Sequence, residues 1–85
     1  VTLFLSVACQ NRDVDAQAEA ATAMAMLEQN RIAEARLAIN RALTLKDDVP
    51  EFHIARGRIE LAAGATSAAF DAYFDALTLD ASNPE

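Results

Sequence analysis

The sequence predicts an all-α chain: two antiparallel helix–turn–helix hairpins, one stacked on the other, after a short apolar segment. Three observations predict it. First, "RALTL" at Arg41–Leu45 returns as "DALTL" at Asp75–Leu79, and "VPE" at Val49–Glu51 returns as "NPE" at Asn83–Glu85, both 34 residues on. Overlaying residues 17–51 on 51–85 gives ten identical pairs of 35, where chance in this composition gives about three or four. Second, the matches fall in helical order: Ala35, Ala38, Ala42 and Leu45 step by three and four, and so do Ala69, Ala72, Ala76 and Leu79. Third, alanine is abundant while glycine and proline occur only twice each, a balance that favours helix over sheet.

Each element has a local justification. Asp13 or Asp15 is expected to open a first helix reaching about Gln29, where Asn30 tolerates the left-handed turn. A partner helix should run from about Ile32 to Leu45. Asp48 is placed to cap the next helix, with Pro50 in its first turn and Glu51 complementing the dipole. That helix runs through Ala63 and stops at Gly64. Thr66 or Ser67 can cap a last helix reaching about Leu79. The short linkers force consecutive helices to pack antiparallel. Small residues, Ala23/Gly57 and Ala35/Ala69, occupy the expected points of closest helix approach.

Size and charge exclude several classes. Eighty-five residues form one domain at most. The single cysteine forbids an internal disulfide framework. A net charge of −6 argues against a nucleic-acid partner, which needs a basic patch, and is read as a solubility feature. The apolar run Val1–Ala8 is too short to cross a bilayer as a helix. The ends of the chain, with no initial Met and a closing Pro-Glu, are read as those of a piece of a longer protein.

A 34-residue helix–turn–helix period resembles the tetratricopeptide repeat, over about Gln17–Glu85. The matching residues are the small Ala23 and Gly57 in the first helices and the turn residues Asn30 and Gly64. In the second helices Ala35 and Ala69 match, then the large Ile39 and Tyr73, then Ala42 and Ala76, with Pro50 and Pro84 closing each unit. The departures lie in the first helices. Glu19 and His53 stand where the family has a large apolar residue, Thr22 and Arg56 where it favours leucine, Met26 and Glu60 where it favours an aromatic. In the second unit, His53, Arg56 and Glu60 therefore form a polar stripe beside an apolar one of Phe52, Ala55, Ile59 and Ala62. The resemblance implies a short right-handed α-solenoid whose first helices line a concave groove. Its groove residues would be Gln17, Ala20, Ala21, Met24, Leu27 and Glu28 in the first unit. In the second they would be Glu51, Ile54, Ala55, Arg58, Leu61 and Ala62. Such a surface suits an extended or helical peptide.

"VTLFLSVACQN" looks like the end of a bacterial lipoprotein signal peptide. An apolar run ends in Ser6-Val7-Ala8-Cys9 and gives way to polar residues. Small Ala8 precedes the cysteine as that pattern requires, although Leu5 lies four residues before it rather than three. The resemblance implies lipid attachment at Cys9 and removal of residues 1–8. The chain then divides into a signal segment (1–9), a linker (10–16), a first repeat (17–50), and a second repeat with the start of another (51–85). The alternative is a buried thiol at Cys9, with Val1–Ala8 packed on the repeats.

No catalytic constellation stands out. His53, the only histidine, lies 44 residues from Cys9 and is read as a surface or packing residue. Asp47-Asp48 is read as solvated loop carboxylates rather than a metal site, and no glycine-rich phosphate loop is present. Phe70, Tyr73 and Phe74 are expected to pack on the neighbouring hairpin, with Tyr73 and Leu77 on the inner face; the alternative is that the three aromatics line a groove. The sequence therefore points to a non-enzymatic scaffold for a protein or peptide partner, with no cofactor, metal or small-molecule substrate. It would be lipid-anchored in the bacterial periplasm and assist assembly or secretion of envelope complexes. The alternatives are a soluble cytoplasmic adaptor and the regulatory repeats of a longer enzyme.

Overall fold

The computed structural model describes the backbone of residues 2–81 and the side chains of residues 12–81. It is all-helical over that range: α1 (Thr2–Glu28), α2 (Ile32–Leu45), α3 (Pro50–Ala62) and α4 (Thr66–Ala81), with no strand among the described residues. The closing Asn83-Pro84-Glu85 lies outside them.

The 34-residue period is written into the backbone. Helix α1 ends with Asn30 at φ 61°, and α3 ends with Gly64 at φ 81°. At the first turn the Asn30 N–H donates to the Leu27 carbonyl (2.9 Å) and the Arg31 N–H to the Met26 carbonyl (2.8 Å). At the second, Gly64 donates to Leu61 (3.0 Å) and Ala65 to Glu60 (2.9 Å). These paired bonds form a Schellman closure, which satisfies carbonyls that a helix end leaves orphaned. The second helices repeat as well. The Thr44 hydroxyl donates to the Asn40 carbonyl (2.9 Å), and the Thr78 hydroxyl to that of Phe74 (3.0 Å).

The helix starts differ from expectation. α1 begins at Thr2, not at Asp13 or Asp15, and runs through the expected 10–16 linker. Gln10–Ala16 holds neither glycine nor proline, so nothing there interrupts a helix once formed. Asp13 instead lies 3.7 Å from the Lys46 ammonium, bringing the α2–α3 loop to α1. Asp48 does not cap α3. The N-cap is extended Val49 (φ −106°), as a residue before proline prefers, and Asp48 pairs with Lys46 at 3.3 Å. Thr66 and Ser67 lie inside α4, whose first-turn bond runs from the Ala69 N–H to the Ala65 carbonyl at 3.0 Å.

Helix α1 packs on α2 and α3 on α4; α3 also packs on α2 and, over a smaller area, on α1. Among the described elements, helix α4 meets only α3. The alanine stripes are buried as expected, Ala35, Ala38 and Ala42 on α2 and Ala69, Ala72 and Ala76 on α4. The main core joins Ala16 and Ala23 of α1, the α2 stripe with Ile39, and Phe52, Ala55 and Ile59 of α3. Ile39 and Ile59 are its largest fully buried side chains. Methyl-lined contacts let helix axes come close, but each removes less apolar area from water than a leucine would.

The second hairpin fills the same space with different residues. A methyl group on Gly57 would lie 2.6 Å from Cε1 and 2.7 Å from Cζ of Tyr73, so the tyrosine ring occupies that volume. In the first hairpin the equivalent positions are Ala23 and Ile39, both fully buried. Where the first helix loses a methyl, the second gains a ring.

Both stripes of α3 are used. Phe52, Ala55 and Ile59 enter the core, while His53 and Glu60 are buried as well. Ala62, read from the sequence as part of the apolar stripe, is exposed. Glu60 accepts two bonds from the Arg36 guanidinium of α2, from Nε at 2.9 Å and Nη2 at 2.7 Å. The Nε2–H of His53 donates to the Asp47 carbonyl at 2.9 Å, since a carbonyl can only accept. The Arg36–Glu60 pair joins the two hairpins and the His53 bond holds the connecting loop to α3, and apolar side chains at those sites could not make them.

Candidate functional site

The groove positions inferred from the repeat divide by burial. On α1, Gln17, Ala21 and Glu28 are exposed, and Ala20, Met24 and Leu27 are half-buried against the core. On α3, Glu51, Ile54, Arg58, Leu61 and Ala62 are exposed. Ala55 is buried, because it lies between Phe52 and Ile59 on the core side of α3. With Ala55 excepted, the positions present side chains on two neighbouring helices. Cys9 lies on the helical backbone of α1, and its side chain is outside the described set.

A cleft of about 520 Å³ opens between the start of α3 and the end of α4. Its walls are Pro50, Ile54, Tyr73, Ala76 and Leu77, and its rim carries Glu51 and Asp80. Leu77 in its wall is 67% exposed, and beyond it Phe70 and Phe74 are 67% and 60% exposed. The expectation that Phe70 and Phe74 pack on a hairpin, with Leu77 facing inward, is corrected here. Positions 70, 74 and 77 step along the side of α4 opposite the buried 69, 72 and 76, and no described element covers them. Only Tyr73 packs inward, against Gly57. The sequence reading left Tyr73 and Leu77 out of the candidate site. Their spacing with Phe70 and Phe74, off the alanine stripe, was the signal that could have found them.

Electrostatics reinforce the joints between helices. The Arg36 bonds hold the Glu60 carboxyl below its ordinary pKa, against the opposing pull of burial, and Glu60 raises that of Arg36. The hydrogen bond to Asp48, with the charges of Asp13 and Asp48, raises the pKa of Lys46. Arg41 and Glu19 approach within 3.4 Å between α2 and α1. Among the described residues, two buried atoms, Nδ1 of His53 and Nε of Arg56, have no hydrogen-bond partner. No cluster of three metal-ligating side chains occurs among the described residues, nor any helix long and apolar enough to cross a membrane.

No family model matches the chain, and neither does any curated protein or solved structure. The fold and its surfaces define a class of their own accord: a repeat-like pair of helical hairpins, held by alanine-lined contacts and by the bidentate Arg36–Glu60 ion pair between them.

Proposed function

We propose that the chain is a non-enzymatic protein-interaction scaffold of the tetratricopeptide kind, its hairpins stacked as a short right-handed solenoid. A peptide segment would lie across the faces of α1 and α3. The observation that supports this reading is the side-by-side placement of those helices, with Gln17, Ala21, Ile54, Arg58 and Leu61 left exposed. Small and apolar groups there can take backbone and side chains of a partner, and the charges can set register. Amide-shift mapping with panels of extended and helical peptides tests it. Shifts should fall on α1 and α3 and vanish in an Ala21→Asp/Arg58→Glu variant of unchanged helix content. No shift on α1 and α3 with any peptide, or shifts there that survive the double substitution, would overturn it.

The same reading places the scaffold at a bacterial membrane facing the periplasm, held through acylated Cys9, in service of envelope assembly or secretion. Its support is the apolar Val1–Ala8 run ending at Ala8-Cys9. A diacyl or triacyl cysteine anchors stably, whereas one chain does so only marginally. Mass spectrometry of Cys9 from native membranes decides the point, and an unmodified thiol removes the anchor. The unbroken course of α1 from Thr2 favours a second version, a soluble cytoplasmic adaptor with those residues as part of the fold.

A further inference from the structure

The 34-residue translation lays the exposed face of the second hairpin onto a covered face of the first. Ile54, Leu61 and Leu77 map onto Ala20, Leu27 and Leu43. The first set is exposed, and the second is half-buried and packed on the cluster that contains Phe52, Ala55 and Ile59 of α3. Phe70 maps onto Arg36, the residue that holds Glu60 of α3. The equivalent surface is thus larger and more apolar on the second hairpin, yet uncovered. Its rim is acidic, with Glu51 and Asp80 at the cleft and Asp71 and Asp75 exposed farther along α4, opposed by Arg58.

We infer that this face binds an amphipathic helix of a basic partner protein, seated on α4 and in the α3–α4 cleft as α3 sits on α2. The interface between the hairpins supplies the geometry: apolar side chains at the spacing of Phe52, Ala55 and Ile59 meet Leu77, Tyr73 and Phe70. The acidic rim supplies the choice of partner. A second copy of this chain, at net −6, would bring like charge to like charge, whereas lysines flanking the apolar stripe find Glu51 and Asp80. The inference uses the α4 side of the molecule and does not require a peptide on α1.

The test titrates the full 85-residue chain into a labelled synthetic helix carrying Phe, Ala and Ile at that spacing and lysines on its flanks, read by fluorescence anisotropy. A second peptide carries glutamates in place of the lysines. The lysine peptide should bind, and Leu77→Asp should weaken it at least about tenfold, since it puts a charge in the cleft. Phe70→Asp should do the same, so that one misfolded variant does not decide the outcome. Glu51→Lys/Asp80→Lys should reverse the preference between the peptides, and Ala21→Asp should leave binding unchanged. Equal binding of both peptides, no binding of either, or indifference to both Leu77→Asp and Phe70→Asp would overturn the inference. So would a concentration-dependent dimer that Leu77→Asp dissolves, because the occupant would then be a second copy. Loss of binding in Ala21→Asp alone would return the site to the α1–α3 face.

Discussion

Gly57→Ala tests whether the two hairpins solve one packing problem in two ways. The new methyl would stand 2.6 Å from Cε1 of Tyr73, and carbon contacts are optimal at about 3.5–4.0 Å, so the ring must retreat by about 1 Å. Overpacking of this kind costs about 1–3 kcal/mol, and the gain in helix propensity from glycine to alanine returns about 1 kcal/mol. The net expectation is a loss of about 1 kcal/mol, which in a domain of this size lowers Tm by about 4–8 °C. Tyr73→Ile alone leaves a gap over Gly57 and costs about 1–2 kcal/mol. The double variant rebuilds the Ala23/Ile39 arrangement of the first hairpin and should recover much of both losses, a favourable coupling of about 1–2 kcal/mol. Urea unfolding followed by far-ultraviolet circular dichroism measures all four corners of the cycle. Additivity within about 0.5 kcal/mol would show that the glycine and the ring do not compensate each other, and the volume argument would be wrong.

Four further outcomes follow from the packing and the turns. Arg36→Met strands the nearly buried Glu60 carboxylate, whose side chain is 7% exposed, whereas Glu60→Leu leaves a guanidinium that is 42% exposed and can turn to water. Arg36→Met should therefore destabilise more, and the double variant less than the arginine change alone, in denaturant midpoints. Because the folded pKa of Glu60 is lowered, its contribution is complete above the ordinary carboxylate pKa and is lost as pH falls through the folded value; an acid titration of stability should flatten in Glu60→Leu. Gly64→Ala should cost roughly 1 kcal/mol at φ 81° although the space beside it is open, while Asn30→Gly should be close to neutral in thermal melts. Ala35→Leu and Ala69→Leu should each cost about 1–3 kcal/mol through overpacking, and unchanged melting temperatures would show that these alanines do not set the helix spacing.

The hairpins were legible because they rest on local chemistry. Asn30 and Gly64 are the residues that accept a left-handed backbone, and both turns form there. The alanine stripes of α2 and α4 gave the buried faces through their 3.6-residue period alone. Helix starts were harder to read. A carboxylate or hydroxyl near a boundary can cap, but it can also meet a cation, and Asp13 and Asp48 both turn to Lys46. The start of α1 was illegible for a related reason: Gln10–Ala16 is polar, as a linker is, yet lacks the glycine or proline that ends a helix.

The candidate surfaces follow a different logic. Periodicity tells which residues share a face, but only the neighbouring element decides whether that face is covered. Leu43 and Leu77 are the same residue in the same register, yet one is packed on the core and the other stands in solvent. The difference is α3, which packs on α2 and has no counterpart on α4 among the described residues. The polar departures on α3 follow the same rule. Arg36, itself partly exposed, pairs with the buried Glu60 carboxylate, and at the equivalent position Phe70 offers no charge to a neighbour. A chain that changes arginine to phenylalanine there, while keeping the alanines beneath, has kept the hairpin and altered what its outer face can hold. If that face takes a partner helix as inferred, its specificity would reside at the positions where the two copies differ, among them those of α4 and the α3–α4 cleft that reach the surface.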